Sequence, residues 1–386
     1  MAPKAGAHRR DSGCSTELSV NSRVFAARLR DWNSKVYAGC VKPLPVEDLE
    51  HVLSHTRSLW EVARGRRLFI TGGTGFFGSW LLESFAYCNR KLALDAEATV
   101  LTRDPGCFLA KAPQIANETS IKFLRGDVCS FSLLEQQFDF VIHAAAPTSA
   151  EAASRPMDLM RTIIHGNERV IEFAEACGAK RFLLTSSGAV YGRQPESLSH
   201  IREDYLGGPD WLDPNAAYAE GKRVSEQMGS ICAKKSDIHF TMARCFTFVG
   251  PLLPLDQHFA IGNFIGDALA GRNISIRGDG TPMRSYLYAA DLAIWLWTML
   301  LRKTDPDSNL SVYNVGSGEA ISIRDLARTV VEVLDSSLQI EIAQQAQAGR
   351  RLEQYVPDVQ KADAFLGLRP TIGLREAIRR TAAWQR

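Results

Sequence analysis

The stretch RLFITGGTGFFG at residues 67–78 decides the fold of this chain of 386 residues. A short apolar run ends in a turn in which Gly72, Gly75 and Gly78 recur at every third position, and an apolar helical pattern follows at 80–88. The first glycine permits a tight turn, the second lets backbone approach a pyrophosphate, and the third lets helix and strand pack closely. The helix N-terminus then offers its free N–H groups to phosphates. The stretch therefore predicts a dinucleotide site, with these contact residues: Gly72, Gly75, Phe76, Phe77 and Gly78.

Apolar runs alternate with helical patterns along the chain that follows. The further predicted strands are 99–101, 121–124, 138–142, 181–184 and 240–243. A long helix precedes the fifth strand, and another, at about 215–233, precedes the sixth. Strands that alternate with helices predict the α/β class, with a parallel, doubly wound (Rossmann-like) sheet.

The chain also divides by composition. Residues 1–22 are polar and basic without an apolar period, which predicts a flexible tail. Residues 23–65 form a predicted helical extension, because apolar side chains from Leu49 to Trp60 recur at helical spacing. Residues 66–250 are the predicted dinucleotide-binding domain. Residues 251–386 are mainly a smaller, mixed α/β substrate lobe, and its predicted elements are helices at 264–270 and 291–301 and strands near Ile274 and Val312.

Charge and composition exclude several classes of protein. Forty-five Lys and Arg residues against 43 Asp and Glu residues give no support for nucleic-acid binding through bulk phosphate neutralisation. The longest apolar stretch, 289–301, is too short to span a bilayer, and the basic start has no apolar signal core. The eight cysteines form no Cys-x-x-Cys pair. We therefore expect a cytoplasmic protein without a metal site, a membrane segment or a nucleic-acid partner.

The end of the second predicted strand bears on the choice between NAD and NADP. A carboxylate there would bond the ribose 2′-OH and repel a 2′-phosphate. Here Thr102 is followed by Arg103, a combination that favours NADP unless Arg103 is a plain surface charge. Asp95, if the strand begins earlier, or Asp104, if it turns inward, would instead favour NAD.

Residues after the next two strands complete the predicted cofactor site. Asp127, followed by Val128, is placed to accept a hydrogen bond from an adenine amino group. The fourth strand ends in His143 and three alanines, which let backbone lie close to the cofactor. We expect Ala144 and Ala145 to make this contact.

Tyr218 and Lys222 form a Tyr-x-x-x-Lys pair inside a predicted helix, so both side chains lie on one helical face. A free tyrosine has a pKa of about 10, and a cationic neighbour stabilises the phenolate and lowers that value. Lys222 can do this while its ammonium also holds the nicotinamide ribose. The cluster at 185–187 ends the fifth strand, and Ser187 is the predicted hydroxyl donor to the substrate oxygen.

Together these motifs resemble the extended short-chain dehydrogenase/reductases of the NAD-dependent epimerase/dehydratase family, which act mostly on nucleotide sugars. The resemblance covers about residues 66–370. The motifs that carry it are 71–78, 126–128, 143–146, 186–192, the Tyr218/Lys222 pair, 244–251, 278–291 and 313–318.

The resemblance also narrows the reaction. Sugar 4,6-dehydratases of the family carry an Asp-Glu pair at the positions of Gly188 and Ala189, and the related sugar-acid decarboxylases place a glutamate at the second position. Neither residue here transfers a proton, so both reactions are disfavoured. Epimerisation at C4 through a transient 4-keto sugar is the favoured reading. An NADPH-dependent 4-ketoreductase is the alternative enzyme. The hypothesis that is not an enzyme is a non-catalytic cofactor-sensing protein.

Substrate contacts are implied by the resemblance alone. Arg284 and Arg351, with Arg350 as an alternative to the latter, match arginines that hold the diphosphate of a nucleotide sugar, which suits the forked guanidinium. Thr247 and Ile163 stand where the family has asparagines, and Thr247 is a candidate substrate contact. Family members commonly form homodimers by packing two helices from each subunit together, here those around 163–177 and 215–233.

Overall fold

A seven-stranded parallel sheet organises the computed structural model, which describes residues 41–257, 259–302, 308–346, 349 and 352–386. The predicted tail, residues 23–40 of the predicted extension, Arg350 and Arg351 lie outside the described residues. In spatial order the strands are β11 (Leu310–Val315), β6 (His239–Cys245), β5 (Arg181–Ser187), β4 (Phe140–His143), β1 (Arg67–Thr71), β2 (Glu97–Thr102) and β3 (Ile121–Arg125). The predicted doubly wound sheet is confirmed.

Helices cover both faces of this sheet and continue into the smaller lobe. They are α1 (Val46–Thr56), α2 (Phe76–Leu92), α3 (Pro105–Lys111), α4 (Pro113–Ala116), α5 (Ala150–Ala153), α6 (Pro156–Ala176), α7 (Ala217–Lys235), α8 (Ala260–Leu269), α9 (Ala289–Leu301), α10 (Ile323–Leu334), α11 (Gln360–Leu366) and α12 (Leu374–Gln385). Short 3₁₀ turns lie at Arg57–Ala63, Gly188–Tyr191 and Pro214–Ala216.

The remaining strands of the described residues form three small sheets, all after residue 247. They are β7 (Phe248–Val249) with β10 (Leu287–Tyr288), β8 (Ile274–Ile276) with β13 (Ile340–Ile342), and β9 (Met283–Arg284) between β12 (Ile321–Ser322) and β14 (Gln354–Tyr355). The last of these sheets matters for the site, because Tyr355 lies opposite Arg284 in its register.

One predicted strand belongs to a different sheet than expected. The strand near Val312, assigned above to the smaller lobe, pairs in parallel with β6 and forms the edge of the main sheet. The all-buried helix α9 likewise packs beside the sheet and against α1 and α2. Residues 251–386 therefore contribute to both parts of the molecule, and the division near residue 250 stays a prediction.

The glycine turn folds as its spacing predicts. Gly72 has a φ of +72°, and a Cβ there would lie 2.4 Å from the Ala144 carbonyl carbon. A Cβ at Gly78 would lie 2.3 Å from the Gly72 oxygen. Both positions therefore require glycine, the first for its conformation and its close approach to the neighbouring strand.

The described part of the N-terminal extension is built into the core. Trp60 is fully buried, with its ring 4.7 Å from that of Trp297 in α9. Asp48 in α1 is buried and accepts hydrogen bonds from the Tyr288 hydroxyl at 2.6 Å and the Arg380 guanidinium at 2.7 Å. These contacts join α1 to β10 and to the last helix, α12.

Within the described ranges, no helix combines the length and the apolar character needed to cross a bilayer.

Candidate active site

The carboxyl end of β5 brings together three hydroxyl groups. Ser187 is the last residue of the strand, and its Oγ accepts a hydrogen bond from the Ala189 N–H at 3.1 Å. The phenols of Tyr218 and Tyr355 lie near enough to the Ser187 hydroxyl for it to lower the pKa of each. Two of these residues were predicted from the sequence, and Tyr355 was not.

Lys222 lies one helical turn beyond Tyr218 in α7 and is only 2% exposed. Its Nζ donates to the Thr185 carbonyl at 2.7 Å, which ties the helix to β5. Burial lowers the pKa of Lys222 to about 8, against smaller raising effects of Cys245 and Glu226. The ammonium is thus held at the strand end where a cofactor ribose is expected.

The expected acidification of Tyr218 is absent from this structure. Burial raises the pKa of the phenol to about 12, and only the hydrogen bond from Ser187 lowers it. Lys222 directs its Nζ at a backbone carbonyl instead. Tyr218 is therefore protonated at neutral pH in this structure, where the sequence argument expects an acidified phenol.

His143 is a neutral, buried part of the site floor. Its Nδ1 lies 2.7 Å from the Thr71 hydroxyl, and Thr71 in turn accepts from the Ala145 N–H at 3.3 Å. Burial, helped by the Lys222 charge, lowers the pKa of His143 to about 3. An uncharged imidazole therefore braces the ends of β1 and β4.

The residues around the glycine turn fit a dinucleotide. The helix α2 begins after Gly75 without a side-chain cap, so its first N–H groups are open to phosphate oxygens. A Cβ at Gly75 would meet only the Gly72 oxygen, at 3.6 Å, which leaves the turn open. Phe76 and Phe77 are half-buried beside this turn, and Ala144 and Ala145 are partly exposed after β4. Any bound nicotinamide cofactor would lie in this cradle.

The positions of the strand ends test whether Asp104 or Asp95 could contact the cofactor ribose and so favour NAD. Thr102 is the last residue of β2, and Arg103 follows it in an exposed position. Asp104 does not turn inward, because its carboxylate caps α3 by accepting from the Cys107 N–H at 2.9 Å. Asp95 precedes β2 at the opposite, amino edge of the sheet. Neither acid is therefore placed for the ribose.

Asp127 and Val128 follow β3 at the same edge. The Asp127 carboxylate accepts from the Cys129 N–H at 2.9 Å and is otherwise exposed. The Val128 side chain approaches Gly166 of α6, where a Cβ would lie 3.0 Å away. Their predicted cofactor contacts stay predictions.

A pocket of about 720 Å³ opens beside Tyr355, one of the residues that line it. The Arg284 guanidinium lies in it and is paired with the Glu353 carboxylate. The Thr247 hydroxyl donates to the Ser285 carbonyl, which occupies its proton. Arg351 lies outside the described residues. The lining residues are Gly192, Arg193, Thr247, Arg284, Glu353, Gln354 and Tyr355.

Packing at Gly188 leaves no room for an acid. A Cβ there would lie 2.7 Å from both the Phe246 ring and the Tyr355 hydroxyl. The neighbouring Ala189 lies in the 3₁₀ turn Gly188–Tyr191, which Ser187 caps. Tyr191 in that turn is buried and donates to the Asn314 side chain at 2.7 Å, so it serves packing. In the parts of the chain that are described, no cluster of His, Cys, Asp or Glu side chains suits a metal.

A doubly wound sheet with a glycine cradle and a Tyr-x-x-x-Lys pair beside a serine hydroxyl defines an extended short-chain dehydrogenase/reductase. The chain belongs to the NAD-dependent epimerase/dehydratase family, whose sequence model matches residues 68–316. It is thus a member of a family of enzymes.

Curated relatives and solved structures agree with this family. UDP-glucuronic acid decarboxylase 5 of Arabidopsis thaliana is 30% identical over 81% of this chain and 87% of the relative. UDP-glucuronic acid decarboxylase 1 of Xenopus tropicalis is 30% identical over 82% and 71%. UDP-glucose 4-epimerase of Thermotoga maritima, 21% identical, superposes with a TM-score of 0.68 over 83% of this chain and 98% of that one. A Bacillus cereus UDP-glucuronic acid 4-epimerase, solved with NAD, is 21% identical with a TM-score of 0.69 over 82% and 98%.

Proposed function

We propose that this protein epimerises a nucleotide-linked sugar at C4 through a transient 4-keto intermediate. One observation carries the proposal: the hydroxyls of Ser187 and Tyr218 lie close together, one helical turn from a buried lysine and next to the glycine cradle. UDP-linked sugars are the first class to test, because the named relatives act on UDP-glucuronic acid and UDP-glucose.

The roles of the residues follow from this arrangement. Tyr218 takes the proton of the sugar O4 and later returns it, while Ser187 donates a hydrogen bond to the same oxygen. Lys222 holds a ribose hydroxyl of the cofactor. A nicotinamide dinucleotide in the cradle supplies reversible hydride transfer at C4. Its positive charge when oxidised would also favour the Tyr218 phenolate.

Substrate anchoring rests on the pocket. Arg284 is the proposed diphosphate contact, and a diphosphate would have to displace Glu353 from it. Arg351 is a second proposed contact, and Thr247 a further one. The proposal does not extend to decarboxylation, since Gly188 and Ala189 offer no proton-transferring group. Homodimers through α6 and α7 and a cytoplasmic location stay predictions.

A 4-ketoreductase is the second candidate, and the Tyr218 phenol favours it. A phenol that is protonated at neutral pH can give its proton to a ketone oxygen, which reduction requires. The exposed Arg103 suits the 2′-phosphate of NADPH. The cofactor is NAD if the epimerase proposal is right and recycles it, whereas a reductase consumes NADPH with each product molecule.

The deciding experiment is to identify the cofactor released on denaturation and to follow a panel of UDP-sugars by NMR. Epimer formation without added cofactor supports the first proposal. Tyr218→Phe should fold and retain cofactor but lose turnover by about 10²–10⁴-fold. Turnover near that of the wild type in this variant would reject the mechanism.

A further inference from the structure

Glu226 lies one helical turn beyond Lys222 on the same face of α7 and is buried. Its carboxylate accepts a hydrogen bond from the Ser186 hydroxyl at 2.6 Å. Ser186 lies between Thr185, which binds the Lys222 ammonium, and Ser187. The same strand end thus holds two successive turns of the helix, one through a cation and one through an anion.

Arg244 completes the network from the next strand. It lies opposite Ser186 in the register of β5 and β6. Its guanidinium donates two hydrogen bonds to the Glu226 carboxylate, from Nη2 to Oε2 at 2.7 Å and from Nε to Oε1 at 3.0 Å. Its Nη1 donates to the Glu203 backbone carbonyl at 3.0 Å. Its planar group also lies over the Tyr191 ring, 4.7 Å from the centroid. Both charges are therefore paired and hydrogen-bonded, as buried charges must be.

The titratable groups that face Lys222 come from three elements. His143 faces it from β4 and Cys245 from β6, while Tyr218 and Glu226 share its helix. Burial keeps His143 neutral, with a pKa of about 3, and keeps the Cys245 thiol and the Tyr218 phenol protonated, each with a pKa of about 12. At neutral pH this leaves Glu226 as the facing group that carries negative charge.

We propose that Glu226 is a positioning residue that fixes the catalytic turn of α7, and with it the Lys222 ammonium, against β5 and β6. This rests on the proposed function, in which a charged Lys222 holds the cofactor ribose. Glu226 touches neither cofactor nor substrate in this account. It acts through Ser186, Arg244 and Lys222.

The test compares Glu226→Gln with Glu220→Gln, a matched change on the same helix at a carboxylate that faces Arg223. Lys222 is titrated by NMR of isotopically labelled lysine in the protein without nucleotide sugar, with Lys222→Arg to assign the signal. The pKa of Lys222 should fall below about 8 in Glu226→Gln and stay unchanged in Glu220→Gln. A fall to about 7 lowers the protonated fraction at pH 8 from about one half to one tenth, so kcat there drops about fivefold.

Glu226→Gln leaves Arg244 without its anion and could fail to fold, so Glu226→Gln/Arg244→Met is the second variant. Lys222 should also titrate lower in that variant. An unchanged Lys222 titration in whichever of the two folds would overturn the proposal. The titration needs no turnover. Failure to convert any nucleotide sugar would therefore count against the proposed reaction only, and the Lys222 titration would still test the role of Glu226.

Discussion

Lys222 carries its charge in a nearly dry environment, and that burial opposes folding. The pKa of its ammonium falls from 10.5 to about 8, so keeping this group charged in the folded state costs free energy at neutral pH. Lys222→Met should therefore abolish turnover yet raise the free energy of unfolding at pH 7 by about 1–3 kcal/mol. Urea unfolding of the ligand-free protein measures the change.

The pH dependence of the free energy of unfolding tests whether the buried charge of Lys222 is the cause. Between pH 8 and pH 10.5 the unfolded chain holds a proton at Lys222 that the folded chain has released, so the stability of the wild type rises with pH. The advantage of Lys222→Met should shrink over the same interval. Lys234→Met, at an exposed lysine of the same helix, is the control and should do neither. An advantage that persists at pH 10.5 would contradict the explanation.

Tyr355 gives a second prediction at the scale of single residues. Its hydroxyl lies near that of Ser187 and 2.7 Å from the place of a Cβ at Gly188. Tyr355→Phe should lower kcat about tenfold by freeing the Ser187 hydroxyl, with cofactor retention unchanged. Steady-state kinetics measures the loss. Tyr205→Phe, at a half-buried tyrosine in the loop before α7, should leave kcat as it is.

At the scale of elements, the glycines before and after β1 separate two roles of glycine. Gly72 and Gly65 have φ values of +72° and +65°, but only a Cβ at Gly72 meets backbone, at 2.4 Å. Gly65→Ala should destabilise by about 1 kcal/mol through conformation alone. Gly72→Ala should destabilise by about 2–4 kcal/mol and lose the bound cofactor. Thermal unfolding and cofactor release measure both, and equal effects would show that the clash is relieved by small shifts.

Local patterns explain what the sequence could predict. The glycine turn and the Tyr-x-x-x-Lys pair each lie within one continuous segment, so spacing alone determines their geometry. The fourth strand, predicted at 138–142, forms at Phe140–His143, a shift of the kind that strand ends commonly show. Alternation of strands and helices was enough for the doubly wound sheet.

Contacts between distant segments explain what was missed. Tyr355 and Glu353 reach the pocket because β14 pairs with β9, and a strand as short as Gln354–Tyr355 leaves no periodic signal. The apolar run at Leu310–Val315 predicts a strand but not which sheet it joins. Likewise, the raised pKa of Tyr218 depends on burial and on where Lys222 points, which spacing does not specify.

At the scale of the whole molecule, the two ends of the described chain meet. The Trp384 indole donates to the Pro43 carbonyl at 3.0 Å, and the His51 ring bonds to the Thr371 hydroxyl at 2.7 Å. We call this set of contacts between α1 and the C-terminal residues the joint. Asp48 is its buried centre and accepts hydrogen bonds from Tyr288 and Arg380. The helix α1 is therefore part of the fold and of its stability.

Asp48→Asn tests the joint. The amide cannot accept from both partners as a carboxylate does, so the free energy of unfolding should fall by about 1–3 kcal/mol. Glu61→Gln removes an exposed partner of Arg64 and should change it by less than about 0.5 kcal/mol. Urea midpoints of the two variants measure the difference. Equal midpoints would mean that α1 contributes little to global stability.

This joint also has a consequence for the order of assembly during synthesis. Asp48 and Arg380 are 332 positions apart, so Asp48 leaves the ribosome long before Arg380 is added to the chain. Until then the Asp48 carboxylate lacks the cation that pairs with it in the folded protein. The last turns of the polypeptide therefore finish the folding of its beginning, and a protein truncated before Leu374–Gln385 should expose α1 to proteases.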